Sequence, residues 1–239
     1  MNFITRVFQR LPFLAGNLLS LLFPSLCSGC SNHLNRGESG ICSGCLYRLP
    51  YTDHYLYKDN RVAKHFWGKV PFHAAMALLR YKKGSRVQRI IYNLKYNGRS
   101  EVGIKLGMMM AERLLKSEFY RDVEVIIPVP LHKSKEKKRG YNQSAFIAEG
   151  LSAILDIPVN DTTLIRNIAT ESQTLKGRYS RHQNMQRAFS VIKPGELSGK
   201  HILIVDDVVT TGATITACAI ELQRCGIRKL SIAVAACAE

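Results

Sequence analysis

The chain has 239 residues, 46% of them hydrophobic, with 34 Lys and Arg set against 18 Asp and Glu. That length holds one large domain or two smaller ones, and that apolar content excludes a disordered or low-complexity chain. The net charge of +16 points to polyanionic partners, either nucleic acid or phosphorylated small molecules, and leaves the fold open.

Residues 1–24 read as an amphipathic helix. Phe3, Val7, Leu14, Leu18 and Leu22 fall on a helical stripe, and Pro24 ends it. Arg6 and Arg10 ahead of an apolar run also resemble a secretory leader, but no small-x-small cleavage site follows cleanly. The run is too short to span a bilayer as a helix. Docking on the domain, on a partner or on a membrane surface all fit such a helix.

Residues 25–75 read as a zinc-ribbon-like module. Cys27-Ser-Gly-Cys30 and Cys42-Ser-Gly-Cys45 are two identical knuckles. Four thiolates so paired can surround one tetrahedral Zn²⁺, and a site with four protein ligands has no open position, so its role is structural. Two disulfides are the alternative and require an oxidising compartment. Cys218, Cys225 and Cys237 bring the total to 7, an odd number that suits buried thiols in a reducing, cytoplasmic setting. The same module carries Tyr51, Tyr55, Tyr57, Phe66 and Trp67. These aromatics suit either a core or a groove for an unpaired nucleic-acid strand, and Phe66 and Trp67 are assigned to the core.

Residues 76–239 read as an α/β domain. Val87, Ile90, Ile91 and Leu94 mark one amphipathic helix closed by Asn97-Gly98, and Val102, Leu106, Met109, Met110 and Leu114 mark a second. Val123–Val129 is a strand, 131–139 a basic loop, Asn142–Leu155 a helix, and 157–168 contains a short strand. A long polar stretch over 169–187 follows. Then come a strand at 188–192, a strand at 202–205, a helix at 214–225 and a strand at 230–235. Strands alternating with helices imply βαβ units and a mainly parallel sheet flanked by helices.

The strand at 202–205 runs into Asp206 and Asp207, followed by Thr210, Thr211, Gly212, Ala213 and Thr214 at the start of a helix. Ligands of open α/β sheets sit at the carboxyl ends of the strands. A helix N-terminus presents unpaired N–H groups and partial positive charge, and Gly212 lets backbone approach an anion. Two carboxylates repel phosphate, so they must face sugar hydroxyls or a cation. A ligand with a phosphate at one end and a ribose diol at the other satisfies both halves. A plain helix cap beside two surface acids is the bland alternative. In the basic loop, Lys133, Lys135, Lys137 and Lys138 fit a solvated face as well as a binding role. Arg139 offers a planar fork to phosphate oxygens, and Gly140 a backbone N–H.

The string from Val205 to Thr214 resembles the phosphoribosyl pyrophosphate (PRPP) signature of type I phosphoribosyltransferases. Pro128-Val129-Pro130-Leu131-His132, Arg139-Gly140-Tyr141-Asn142-Gln143-Ser144, and the spaced Thr170, Gln173, Leu175, Arg178, Asn184, Ala188 and Phe189 together resemble the competence protein F (ComF, GntX-like) family. The resemblance covers nearly everything from about Leu21 onward. It implies a four-cysteine zinc module ahead of a phosphoribosyltransferase-like domain. It also implies that Asp206 and Asp207 hold the ribose hydroxyls, that 210–214 cradle the 5′-phosphate, and that Arg139 and Gly140 face pyrophosphate with Mg²⁺. Residues 169–187 become a loop closing over PRPP, with Lys176, Arg178 and Arg181 above the pyrophosphate. The family setting is DNA uptake, with single-stranded DNA and a helicase-like partner. Two functions remain: a phosphoribosyltransferase that displaces pyrophosphate, or a non-enzymatic scaffold that binds DNA and docks a partner. No base-reading constellation is visible in 46–120, where an acceptor hood has to lie.

Overall fold

A computed structural model describes residues 24–167 and 188–239. The amphipathic segment up to Phe23 and the polar stretch, with Lys176, Arg178 and Arg181, lie outside the described residues. The described strands, in chain order, are β1 (Ala74–Tyr81), β2 (Val125–Pro128), β3 (Leu164–Arg166), β4 (Phe189–Val191), β5 (His201–Val209) and β6 (Lys229–Ala238). The described helices are α1 (Ser43–Tyr47), α2 (Arg61–Lys64), α3 (Arg86–Tyr96), α4 (Ser100–Leu114), α5 (Lys133–Arg139), α6 (Gln143–Leu155) and α7 (Ala213–Gln223).

Four strands form one parallel sheet in the order β1-β6-β5-β2, and β3 pairs antiparallel with β4 beside it. Both faces of the parallel sheet are covered, which is why its strands are nearly continuous apolar runs. On one face, residues of α3, α4 and α6 pack with Met76, Leu203 and Val205; on the other, α2 and α7 pack with Ala75, Ile204 and Val234. This is the α/β architecture expected, a parallel sheet flanked by helices.

The two cysteine knuckles do not stand apart from this core. Cys27, Ile41, Cys45 and Leu49 are buried in the same cluster as Ile90, Leu94 and Val102. Asn93 Nδ2 donates to the Ser28 carbonyl at 2.9 Å and Arg99 Nη2 to the Leu26 carbonyl at 2.7 Å, which ties the knuckles to α3 and the start of α4.

Four differences from the sequence expectations have local causes. Strand β1 carries no strand signal, because Ala-Ala-Met-Ala-Leu-Leu has no β-branched residue; pairing with β6 and packing on both of its faces bury it regardless. Strand β5 continues past Val205, so Asp206 and Asp207 lie within it, and Asp206 pairs in register with Val234. The expected loop at 131–139 contains the helix α5, where His132 caps the start and Gly140, at φ 82°, closes the end. Phe66 is fully buried as expected, but Trp67 is 50% exposed.

Helices α4 and α6 pack backbone to backbone. A Cβ on Gly107 would stand 2.1 Å from the Ile147 carbonyl oxygen, and one on Gly150 equally close to that of Ile104. The contact fixes where α6 begins, and α6 begins at the acid pair.

Candidate functional site

The site is assembled at the carboxyl ends of β5 and β2. Asp206 is almost wholly buried, and its Oδ1 accepts from the Ser144 hydroxyl at 2.9 Å and the Asp207 N–H at 2.8 Å. Ser144 reaches it from the first turn of α6. Asn142 caps that helix, accepting from the Ser144 N–H, while its Nδ2 donates to the Val129 carbonyl just beyond β2. One residue thus fixes both the helix start and the strand end.

Asp207 is buried as well, and its Oδ2 lies 2.9 Å from Lys95 Nζ on α3. Burial, and then the neighbouring Asp207 charge, push the Asp206 carboxyl up to about 7, against the pull of the Asp207 N–H, Ser144 and Lys95. The Asp206 carboxyl therefore keeps its proton to a higher pH than a free carboxyl does.

After β5 the chain turns through exposed Thr210 and Thr211 to Gly212, which sits at φ 77° as the N-cap of α7. Gly212 is required twice over. The left-handed backbone disfavours a side chain, and a Cβ would meet Phe66 at 3.0 Å and His65 at 3.2 Å. Asp206, Val209, Thr210, Thr211, Gly212 and Ala213 line a small concavity, joined by Thr214. Gly212 has no side chain to cap the helix; Thr211 Oγ1 accepts from the Ala213 N–H at 3.4 Å, and the start of α7 borders this concavity. Lys69 Nζ, 3.4 Å from the Thr211 carbonyl, adds positive charge at the rim.

Arg139 stands beside this group. Its guanidinium lies 4.9 Å from the centre of the Tyr96 ring, and Nη1 donates to Gln143 Oε1 at 2.7 Å. Its two partners are the chain neighbours of Lys95 and Ser144, the residues that touch the acids, so Arg139 shares their edge of the sheet without contacting either acid. Tyr141 donates its hydroxyl to the Leu94 carbonyl, holding the turn after α5 against the end of α3. Gly140 differs from expectation: its N–H donates to the Glu136 carbonyl at 2.7 Å, closing α5, and is not presented to a ligand. Lysines 133, 135, 137 and 138 lie exposed along α5.

Sequence reasoning missed Lys95. It falls in the last turn of α3, a place where a lysine needs no explanation beyond the helix dipole, and no motif marked it. Ser144 stood within the quoted motif but had no assigned task.

The four cysteines also converge. Sγ atoms of Cys27, Cys30, Cys42 and Cys45 all lie within 4.8 Å of one another, with Cys30 and Cys42 at 3.8 Å. A tetrahedron with bonds of about 2.3 Å sets its sulfurs in that range, so the set can hold one metal ion. Burial of Cys27 is outweighed by N–H groups of Cys42, Gly29 and Cys30, which lower its thiol to about 6 and favour the thiolate. All four are free thiols.

Residues 142–238 match the phosphoribosyl transferase domain, a span that starts at the cap of α6 and contains the acid pair and its loop. The chain is 26% identical over 227 residues to competence protein F of Haemophilus influenzae, covering 86% of this chain and 94% of that one. It is 29% identical over 227 residues to the DNA utilization protein YhgH of Escherichia coli O157:H7, covering 89% and 96%. It is 26% identical over 204 residues to competence protein ComFC of Bacillus subtilis, covering 82% and 78%. The chain thus carries a phosphoribosyl transferase domain over its sheet and loop, and it is similar along more than four-fifths of its length to competence and DNA utilization proteins.

Proposed function

We propose that the acid pair and the 210–214 loop bind PRPP, or a closely similar ribose phosphate, with Mg²⁺. The observation that carries this reading is the juxtaposition of two buried, individually braced carboxylates with a helix N-terminus that opens on a left-handed glycine among threonines. Asp206 and Asp207 accept from the ribose 2′- and 3′-hydroxyls. Thr210, Thr211 and Thr214 and the N–H groups of 212–214 take the 5′-phosphate. Arg139 faces the pyrophosphate, held flat by Tyr96 until the ligand arrives. Mg²⁺, when bound with the ligand, offsets charge on the pyrophosphate oxygens. Given an acceptor, the same positioning serves phosphoribosyl transfer, in which the bond from ribose C1 to pyrophosphate breaks as the acceptor bond forms.

The four-cysteine cluster is proposed to hold structural Zn²⁺, since thiolate donors at tetrahedral spacing suit that ion and leave no open position. The names of the relatives, competence protein and DNA utilization protein, support a role in DNA uptake and use, for which the proposed setting is the cytoplasm and the proposed partner helicase-like. A second reading, favoured by the half-exposed Trp67, makes the chain a single-stranded-DNA-binding scaffold with a retained ribose-phosphate pocket.

Calorimetric titration of PRPP with Mg²⁺ into the wild type and into Asp206→Asn/Asp207→Asn tests the first reading. Binding by the wild type alone supports it. Absence of binding by either overturns it and leaves the scaffold reading.

A further inference from the structure

Trp67 belongs to neither the acid pair nor the cysteine cluster. It is the chain's single tryptophan, and half of it faces solvent in a fold that buries Phe66 beside it completely. Exposure forgoes the stabilisation that burying so large a ring supplies, so packing does not account for a tryptophan here.

The surroundings of the ring point to a ligand of definite chemistry. Lys58, Trp67, Val70, Pro71, Phe72 and His73 line an open groove of about 510 Å³, within the size range of sites that take small ligands or single nucleotide units. Between residues 58 and 73 there are four exposed cations, Lys58, Arg61, Lys64 and Lys69, against a single acid, Asp59. Lys64 Nζ stands 5.8 Å from the centre of the Trp67 ring. Lys69 reaches from the same segment to the Thr211 carbonyl, so the basic row continues to the ribose-phosphate loop.

The platform is firmly mounted. Phe66 packs edge-on against Phe72 at 6.0 Å. Asn60 accepts from the N–H groups of Val62 and Ala63 and donates to the carbonyls of His54, Tyr57 and Ala75, fastening the segment to β1.

A flat ring on a rigid base, flanked by ammonium groups and open along one side, matches an unpaired nucleotide: the base stacks and the neighbouring phosphates meet the lysines. Duplex bases are already stacked on each other and offer no free face. An acidic peptide would use the lysines and leave the ring without a role. We propose that Trp67 is the stacking platform of a single-stranded-DNA site, with Lys58, Lys64 and Lys69 contacting the phosphates. The inference rests on the DNA-handling reading above and is independent of whether PRPP binds.

Because Trp67 is the chain's single tryptophan, its fluorescence reports this site alone when excited where tyrosine does not absorb. The full-length protein is titrated with a thymidine oligomer of about 15 nucleotides, roughly the upper site size of one strand-binding domain. Tryptophan emission is followed, and in parallel the anisotropy of the same oligomer carrying a dye. The expected result is quenching that saturates with the anisotropy, little quenching by a duplex of equal length, and roughly tenfold weaker binding for Trp67→Ala, partly regained in Trp67→Phe. Replacing Lys58, Lys64 and Lys69 together by Ala should lower the slope of log affinity against log salt by about 2. Anisotropy showing binding with unchanged emission and an unaffected Trp67→Ala overturns the platform and leaves the DNA reading standing. Failure of the oligomer to bind at all overturns both. Trp67→Phe, which keeps an aromatic ring on the fold, decides the matter where Trp67→Ala melts early.

Discussion

Lys95 Nζ lies 2.9 Å from Asp207 Oδ2, so the acid pair is balanced by a residue that falls outside the matched transferase domain. The lysine's side chain is 23% exposed and the carboxylate 5%. Removing the cation leaves a buried carboxylate without a partner, which typically costs about 3–5 kcal/mol, and the partial exposure puts this case at the lower end. Lys95→Met should therefore lower stability by about 3 kcal/mol. Asp207→Asn added to it should restore part of the loss, because the stranded charge is gone. Chemical denaturation of the two single variants and the double variant closes the cycle. Additive losses would show that the pair is not coupled.

The raised Asp206 carboxyl sets a pH dependence whose sign follows from proton linkage. The folded group titrates near 7 and the unfolded one near 3.8, so the folded state holds the extra proton between those values. Stability contributed by this group is greatest at low pH and declines as pH rises from about 4 to about 7. Asp206→Asn removes that decline, so its stability relative to wild type should rise across the same window. The hydroxyls of a ribose donate best to an ionised carboxylate. Affinity for PRPP with Mg²⁺ should accordingly increase as pH passes upward through 7 and then level off. Calorimetry at pH 6, 7 and 8 reads the trend directly, and a flat profile sinks the assignment of Asp206 to the diol.

How much of this was legible beforehand divides by the range of the cause. The strand–acid–hydroxyl–glycine run over 202–214 is a local pattern, and its parts fall where a local pattern puts them. The cysteine knuckles converge because their spacing is short. Lys95 and Ser144 reach the acids only through the way α3 and α6 cross the sheet, and nothing near them in sequence records that crossing. Strand β1 escaped notice because burial on both faces, not β-branched composition, makes it a strand. Residue type puts Trp67 in the core, whereas its neighbour Phe66 takes the inward place and Trp67 is half exposed.

The cysteine cluster predicts a metal with consequences beyond its own segment. Purified, reduced protein should carry about one zinc per chain, and Cys27→Ser/Cys30→Ser should lose it. Cys27 and Cys45 are buried in the core shared with α3 and α4, so metal loss should lower the unfolding midpoint of the whole domain in one transition. An early separate transition for the first 50 residues, with the remainder unchanged, would falsify the shared-core account. Absence of metal from protein expressed and purified under reducing conditions would remove the zinc itself.

The last prediction concerns the crossing that delivers Ser144. Gly107 on α4 and Gly150 on α6 let the two helices touch through their backbones, and a methyl group at Gly107 would stand 2.1 Å from the Ile147 carbonyl oxygen. That oxygen is backbone and cannot swing aside, so the helices must separate. Overpacking of this kind costs about 1–3 kcal/mol where flexible side chains relax, and a backbone clash puts Gly107→Ala at about 3 kcal/mol or more. Gly195→Ala serves as the control, since a Cβ there meets nothing within 4 Å and the backbone angle is ordinary. It should be neutral or slightly stabilising. Displacing α6 also moves Ser144 from its 2.9 Å bond to Asp206, so Gly107→Ala should weaken ribose-phosphate binding although it lies far from the loop. Denaturation and calorimetry on the same two variants separate the effects: lost stability with unchanged affinity would mean that α6 keeps its place at the acid pair and that the glycine contact serves packing alone.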